Sequence, residues 1–142
     1  MDIFKERGLR GTIFGVAQAL DQNPAAVQRI LDDAWGIASH DYRWINYQYV
    51  GADVERDHVA KAVEILERLT GQKPRGWYTG CNSPRTRQLV HEVGDFLYDS
   101  DSHNDDLPYW ELVHGEPKLI IPYTLENNDM KFASDKGFTH GE

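Results

Sequence analysis

His40 is the residue of this chain best suited to proton chemistry. Imidazole titrates near neutrality and can act as a general base, a metal ligand or an oxyanion donor. It stands in the stretch Ser39-His40-Asp41-Tyr42-Arg43-Trp44. A histidine that merely caps a strand end by hydrogen bonding is the alternative. A second group is Tyr78-Thr79-Gly80-Cys81-Asn82-Ser83, with hydroxyls at Tyr78 and Ser83 that can bond carbonyls or amides. Cys81 is a conceivable nucleophile, yet a lone cysteine reads more simply as a small buried hydrophobe. The third group is Asp99-Ser100-Asp101-Ser102-His103-Asn104-Asp105-Asp106. Its alternating oxygens imitate the start of a calcium loop. Asn104 stands where the loop needs glycine, however, and Trp110 where a bidentate glutamate should close the shell. What remains is an acidic loop, solvated or placed to receive a polar substrate, and Asp99 and Asp101 are its best-placed members.

All three groups follow strand-like segments, and an alternation of strands and helices is what must position them. Gly11 to Val16 reads as a buried strand. Asn23-Pro24 then caps and opens a helix whose apolar face is Val27, Ile30, Leu31 and Ala34, ended by Gly36. Ile37 to His40 reads as a short strand. Asp53 is placed to cap a helix running to about Thr70, with Val54, His58, Ala62, Ile65, Leu66 and Leu69 facing inward and Gly71 as its stop. His58 on that face reads as a satisfied core histidine. Arg75 to Thr79 is the next strand. Ser83-Pro84 caps a helix with Leu89, Val90 and Val93 inward, and Phe96 to Tyr98 and Leu119 to Tyr123 follow as strands. Pro122 belongs at a strand end or sheet edge, and Trp35 and Trp110 read as packing residues. Strands separated by helices of this length imply an α/β fold with a parallel sheet, an arc of a barrel, whose functional residues collect at the carboxyl ends of the strands. The start of the chain reads as a helix feeding a strand.

The 142 residues suit a single unit, with 40% hydrophobic residues and a formal charge of -8. That charge argues against nucleic acid or an anionic membrane as partner. The single cysteine rules out an internal disulfide, and no apolar run approaches a membrane span, so the expected location is the cytoplasm.

The stretches GTIFGVAQALDQNP, WGIASHDYRWINYQ, GWYTGCNSPRTRQLV and FLYDSDSHNDDLPYW followed by IPYTLENNDM resemble the polysaccharide deacetylases with the NodB-type barrel, and within them the allantoinase branch of urate catabolism. The resemblance spans nearly the whole chain and implies a partial, distorted (β/α) barrel, with residues 1–142 as one incomplete domain drawn from the middle of a larger barrel. The family carries a Ser/Thr-His pair and a second histidine four residues on, which with an aspartate from an earlier strand hold a divalent metal. Ser39 and His40 match the pair. Trp44 replaces the second histidine and cannot ligate, so no metal ligand is assigned, and a metal enters only if the site persists in another form. The family's Phe-Arg-Pro-Pro motif is Trp77-Tyr78-Thr79-Gly80 here. Both departures are those of the allantoinase branch.

The implied reaction is hydrolytic opening of allantoin, a small-molecule substrate, to allantoate without a cofactor. His40 would be the catalytic base or oxyanion donor. Ser39, Trp44, Tyr78, Ser83, Asp99, Asp101, Asn128 and Asp129 would bind substrate. N-deacetylation of a chitin or peptidoglycan oligosaccharide is the alternative reaction, and a non-catalytic fragment or assembly partner the alternative class. An open sheet edge could also pair the chain with a second copy.

Overall fold

The computed structural model describes residues 2–124. Helix α1 (Asp2–Glu6) opens the chain as the sequence predicts. None of its residues is buried, and it is held by side chains alone. Arg29 binds Asp2, Lys5 binds Asp33, and Phe4 packs edge-on against Trp35. Strand β1 (Thr12–Gly15) leads into α2 (Ala17–Asp21) and α3 (Pro24–Asp32). Asn23 caps α3 as expected, its side chain accepting from Ala26 N at 3.2 Å. That helix ends before Ala34, which turns the chain at φ 54, so Gly36 opens the next strand and terminates nothing. Val27 and Ile30 are buried, whereas Leu31 is exposed.

Strand β2 (Gly36–Ser39) is followed by a single 3-10 turn and by α4 (Ala52–Thr70), the longest helix described. Gly51, and not Asp53, occupies its N-cap, with Asp53 in the first turn, where a carboxylate still favours the helix dipole. Gly71 closes it at φ 74, in the left-handed conformation that glycine adopts without strain. The buried face of α4 is Glu55, His58, Val59, Ala62 and Leu66, so His58, Ala62 and Leu66 point inward as predicted and Ile65 packs beside them, whereas Val54 is exposed. Glu55, a buried glutamate, gives no hydrophobic signal and was not foreseen on that face.

Strand β3 (Gly76–Trp77), α5 (Thr86–Val93) and β4 (Tyr98–Asp99) continue the alternation. Helix α5 starts three residues after Ser83, because Ser83 N donates to Thr86 Oγ1 at 2.7 Å and folds Ser83-Pro84 into a preceding turn. The chain then departs from the prediction. In place of one strand over 119–123 there is a hairpin of β5 (Tyr109–Val113) and β6 (Glu116–Ile120), joined by His114 and Gly115 with φ of 52 and 82. Two successive left-handed residues form the tight turn whose twist matches paired strands. Pro122 does lie beyond the strand end. Trp110 is not a packing residue: it is 69% exposed on β5.

The six strands form one sheet in the order β1-β2-β3-β4-β6-β5, parallel except for β5. It is an open arc of (β/α) units. Ile37, Ser39, Trp77 and Asp99 face the helices, and Trp77 packs there with Val59, Val90 and Phe96. A neighbouring cluster of Ala17, Ala62 and Leu66 receives Leu20, Ile37, Tyr42 and Ile65. Both clusters rest on α4. None of the helices described is long and apolar enough to cross a membrane.

Candidate functional site at the strand ends

His40 leaves β2 at its carboxyl end, its backbone N–H still bonded to Gly15 O at 2.9 Å. Its Nδ1 lies 2.5 Å from the carbonyl oxygen of Tyr78. A carbonyl only accepts, so Nδ1 carries a proton, and in the neutral form of the ring the lone pair is on Nε2. The ring stacks on Tyr78 at 5.3 Å with planes 2° apart, and Trp44, 74% exposed, stands 5.9 Å away on another side. Tyr78 in turn stacks on Tyr123 at 4.9 Å and meets Phe14 edge-on. Burial, with Tyr123, Asp101 and Cys81 nearby, raises the Tyr78 pKa, so its phenol stays protonated and able to donate.

His103 ends this row of rings. Its Nδ1 lies 2.9 Å from the Tyr123 carbonyl oxygen and its ring meets Tyr123 edge-on at 5.7 Å. Two histidines are thus held in the same tautomer by tyrosine carbonyls. Sequence reasoning picked neither His103 nor Tyr123 out of its stretch, since no spacing marks a ring contact across 20 residues.

Asp101 ties the loops that carry these rings. Its carboxylate accepts from Thr79 N at 3.0 and 3.1 Å, Thr79 Oγ1 at 2.7 Å, Gly80 N at 2.9 Å and Trp77 Nε1 at 3.1 Å. The Thr79 and Gly80 donors that follow β3 are spent on it. Asp99 lies behind, fully buried, accepting from Arg87 Nε at 3.0 Å and Asp101 N at 2.7 Å; burial raises its pKa. Arg87 also reaches Glu111 at 2.8 Å and Asp101 O at 3.0 Å.

Ser83 and Ser39 are buried too. Ser83 Oγ donates to Glu55 at 2.8 Å and accepts from Arg85 N at 3.0 Å. Glu55 further receives Thr86 Oγ1 at 2.5 Å and Arg85 Nη2 at 3.2 Å. Ser39 Oγ accepts from Asp41 N at 3.3 Å. Asp41, left-handed at φ 61 and 1% exposed, bonds Tyr42 N through Oδ1, while Oδ2 has no hydrogen-bond partner among the described residues. Burial pushes its pKa up to about 7. The Tyr47 hydroxyl, near enough to oppose that rise, bonds instead to Arg43 O and His58 Nδ1, each at 3.1 Å. His58 is thereby the satisfied core histidine expected.

The structure therefore brings His40, Trp44 and Tyr78 together at the strand ends. It places Ser39, Ser83 and Asp99 inside, each with protein partners, and Asp101 between loops. Asn128 and Asp129 lie outside the described residues. Among the described residues no three His, Cys, Asp or Glu side chains converge on a point that could hold a metal ion. Trp44, where a second imidazole would be needed, offers no lone pair. The described donor set alone does not fit a divalent metal.

Residues 1–94 match the polysaccharide deacetylase family model. A Schizosaccharomyces pombe protein named as a polysaccharide deacetylase is 36% identical over 158 aligned residues, which take in all of this chain and 49% of that protein. Two crystal structures superpose with TM-scores of 0.90. Puue allantoinase is 48% identical, and a protein from Pseudomonas aeruginosa PAO1 described as a polysaccharide deacetylase is 50% identical; each comparison covers 96% of this chain and 46% of the other. The chain spans about half the length of these relatives.

Proposed function

The chain belongs to the polysaccharide deacetylase family, and from that membership we propose that it carries the part of an amidohydrolase active site that opens the hydantoin ring of allantoin. The observation that carries this reading is the His40 imidazole, held through Nδ1 so that Nε2 is turned away from the Tyr78 carbonyl, stacked on the Tyr78 ring with the Trp44 ring tilted beside it. Its flanking rings suit a small planar heterocycle. The similarity to Puue allantoinase supports the same substrate.

In the proposed reaction His40 Nε2 takes a proton from water as the oxygen attacks a ring carbonyl carbon. The tetrahedral oxyanion then collapses with cleavage of the ring carbon–nitrogen bond, and the imidazolium returns the proton to the departing nitrogen. Tyr78, its phenol protonated, donates to a substrate carbonyl, and Trp44 stacks on the ring. Ser39, Ser83, Asp99 and Asp101 serve by holding the loops in place.

A second reading, N-deacetylation of a chitin or peptidoglycan oligosaccharide, is favoured by the similarity to the Pseudomonas protein. Assay of the full-length protein separates the two. Turnover of allantoin to allantoate that persists in a chelator, and falls by about 10²–10⁴-fold in His40→Ala, supports ring opening. Acetate release from the oligosaccharide that stops on chelation would move the assignment to the second reading.

A further inference from the structure

Strand β5 is the outer edge of the sheet, with β6 on one side and no described strand on the other. Its register with β6 pairs Val113 with Glu116 next to the two-residue turn, then Leu112 with Pro117, Glu111 with Lys118 and Trp110 with Leu119. The pair flanking such a turn is the hydrogen-bonded one, and bonded and non-bonded pairs alternate from there. Pro117 fits this pattern, since it falls in a non-bonded pair where β5 asks for no N–H. Trp110 and Leu112 therefore direct their N–H and C=O groups outward, along the edge that no described strand covers. Their side chains share one face and are 69% and 73% exposed. Strand β5 has no proline, lysine or bulge, and its one charge, Glu111, is paired with Arg87 on the inner face.

We propose that β5 pairs antiparallel with β5 of a second copy of this chain, about a two-fold axis at Glu111. The five residues Tyr-Trp-Glu-Leu-Val are complementary to themselves in that register. Trp110 meets the partner's Leu112 and Leu112 the partner's Trp110, so both become hydrogen-bonded, aromatic–aliphatic pairs. Tyr109 meets the partner's Val113. Glu111 is the one residue opposed to its own kind, and like charges so placed normally repel. Here the guanidinium of Arg87 holds it at 2.8 Å on the face toward α5. The axis thus carries two carboxylates and two guanidiniums. An isologous contact of this kind closes on itself and gives a dimer.

Sedimentation of the 142-residue chain at about 100 μM should report twice the 16.3 kDa chain mass. Leu112→Pro removes one outward N–H and no bond to β6, and should halve the mass with the far-UV spectrum unchanged. Trp110→Lys/Leu112→Lys provides the same test should the proline unfold the hairpin. The register is read by Cys81→Ser/Glu111→Cys, which should oxidise to a symmetric disulfide, whereas Cys81→Ser/Lys118→Cys should not. A monomeric parent chain, a dimer that survives both edge variants, or crosslinking at 118 in place of 111 would overturn the proposal.

Discussion

Asp101 receives both backbone and side-chain donors from the end of β3, and hydrogen bonds to a charged group contribute about 1.5–3 kcal/mol each. Asp101→Ala should therefore cost on the order of 3 kcal/mol or more, read as a loss of thermal stability, because Thr79 N, Gly80 N and Trp77 Nε1 lose their acceptor together. If the melting temperature stayed within a degree of the parent, the clamp would be the wrong account. His91 makes the second prediction at this scale. Its ring is buried on α5, both nitrogens lack hydrogen-bond partners among the described residues, and burial lowers its pKa to about 4, with Lys118, Arg87 and His114 adding to the effect against Glu111. The Asp99 carboxylate is 3.9 Å from Nε2. Because the unfolded chain binds this proton more readily than the folded one, the His91 contribution is full above pH 6.5 and is lost as pH falls toward 4. Asp41, its pKa raised to about 7, titrates over the same window with the opposite sign, so the histidine is read as the difference between parent and His91→Gln in urea titrations, which should shift against the parent as pH falls from 6.5 to 4. Residue types at single positions were readable in advance: His40, Tyr78 and Trp44 do gather. That Ser83 and Asp99 would be consumed by Glu55 and Arg87 was not, since hydrogen-bond partners 28 and 12 residues away leave no mark in local spacing.

Among the elements, α4 and the start of α5 are joined by Glu55. Two hydroxyls and a guanidinium converge on this fully buried carboxylate. Removing one partner of a buried charge leaves the rest uncompensated, at a cost of about 3–5 kcal/mol. Glu55→Ala should thus unfold the protein at markedly lower denaturant, and Glu55→Gln should recover part of the loss; equal stability of Glu55→Ala and the parent would refute the joint. The helices with a capping asparagine or a terminal glycine, α3 and α4, were the most legible elements, because their signals act within one turn. The hairpin was not legible. β5 follows an acidic loop, alternates an exposed Trp and Leu in place of polar residues, and its partner contains Pro117, so each local rule for a half-buried strand is broken once. The His114-Gly115 turn was the available clue.

For the whole molecule, the two apolar clusters are separate lists of residues but share one support, since Val59 belongs to one and Ala62 and Leu66 to the other along the same helix. A perturbation of either should therefore reach both. Leu66→Ala should cost about 2–5 kcal/mol and shift a single transition, seen alike by far-UV circular dichroism and by the fluorescence of a Trp35→Phe/Trp44→Phe/Trp110→Phe background, in which Trp77 of the other cluster is the remaining tryptophan. Two separated transitions would show that the clusters unfold independently. The alternation of strands and helices, and with it the parallel arc, was evident from periodicity; the antiparallel strand at its edge had to be seen.

The Asp101 clamp has one more consequence. Its donors are engaged inside the protein, so the loops after β3 and β4 have little conformational freedom left to surrender when a ligand arrives. A rim organised in advance loses little affinity to ordering. On the proposed reading it also leaves recognition to the rings standing on it, so that exchanging Trp44, which is 74% exposed, should retune which flat molecule is accepted without disturbing the frame.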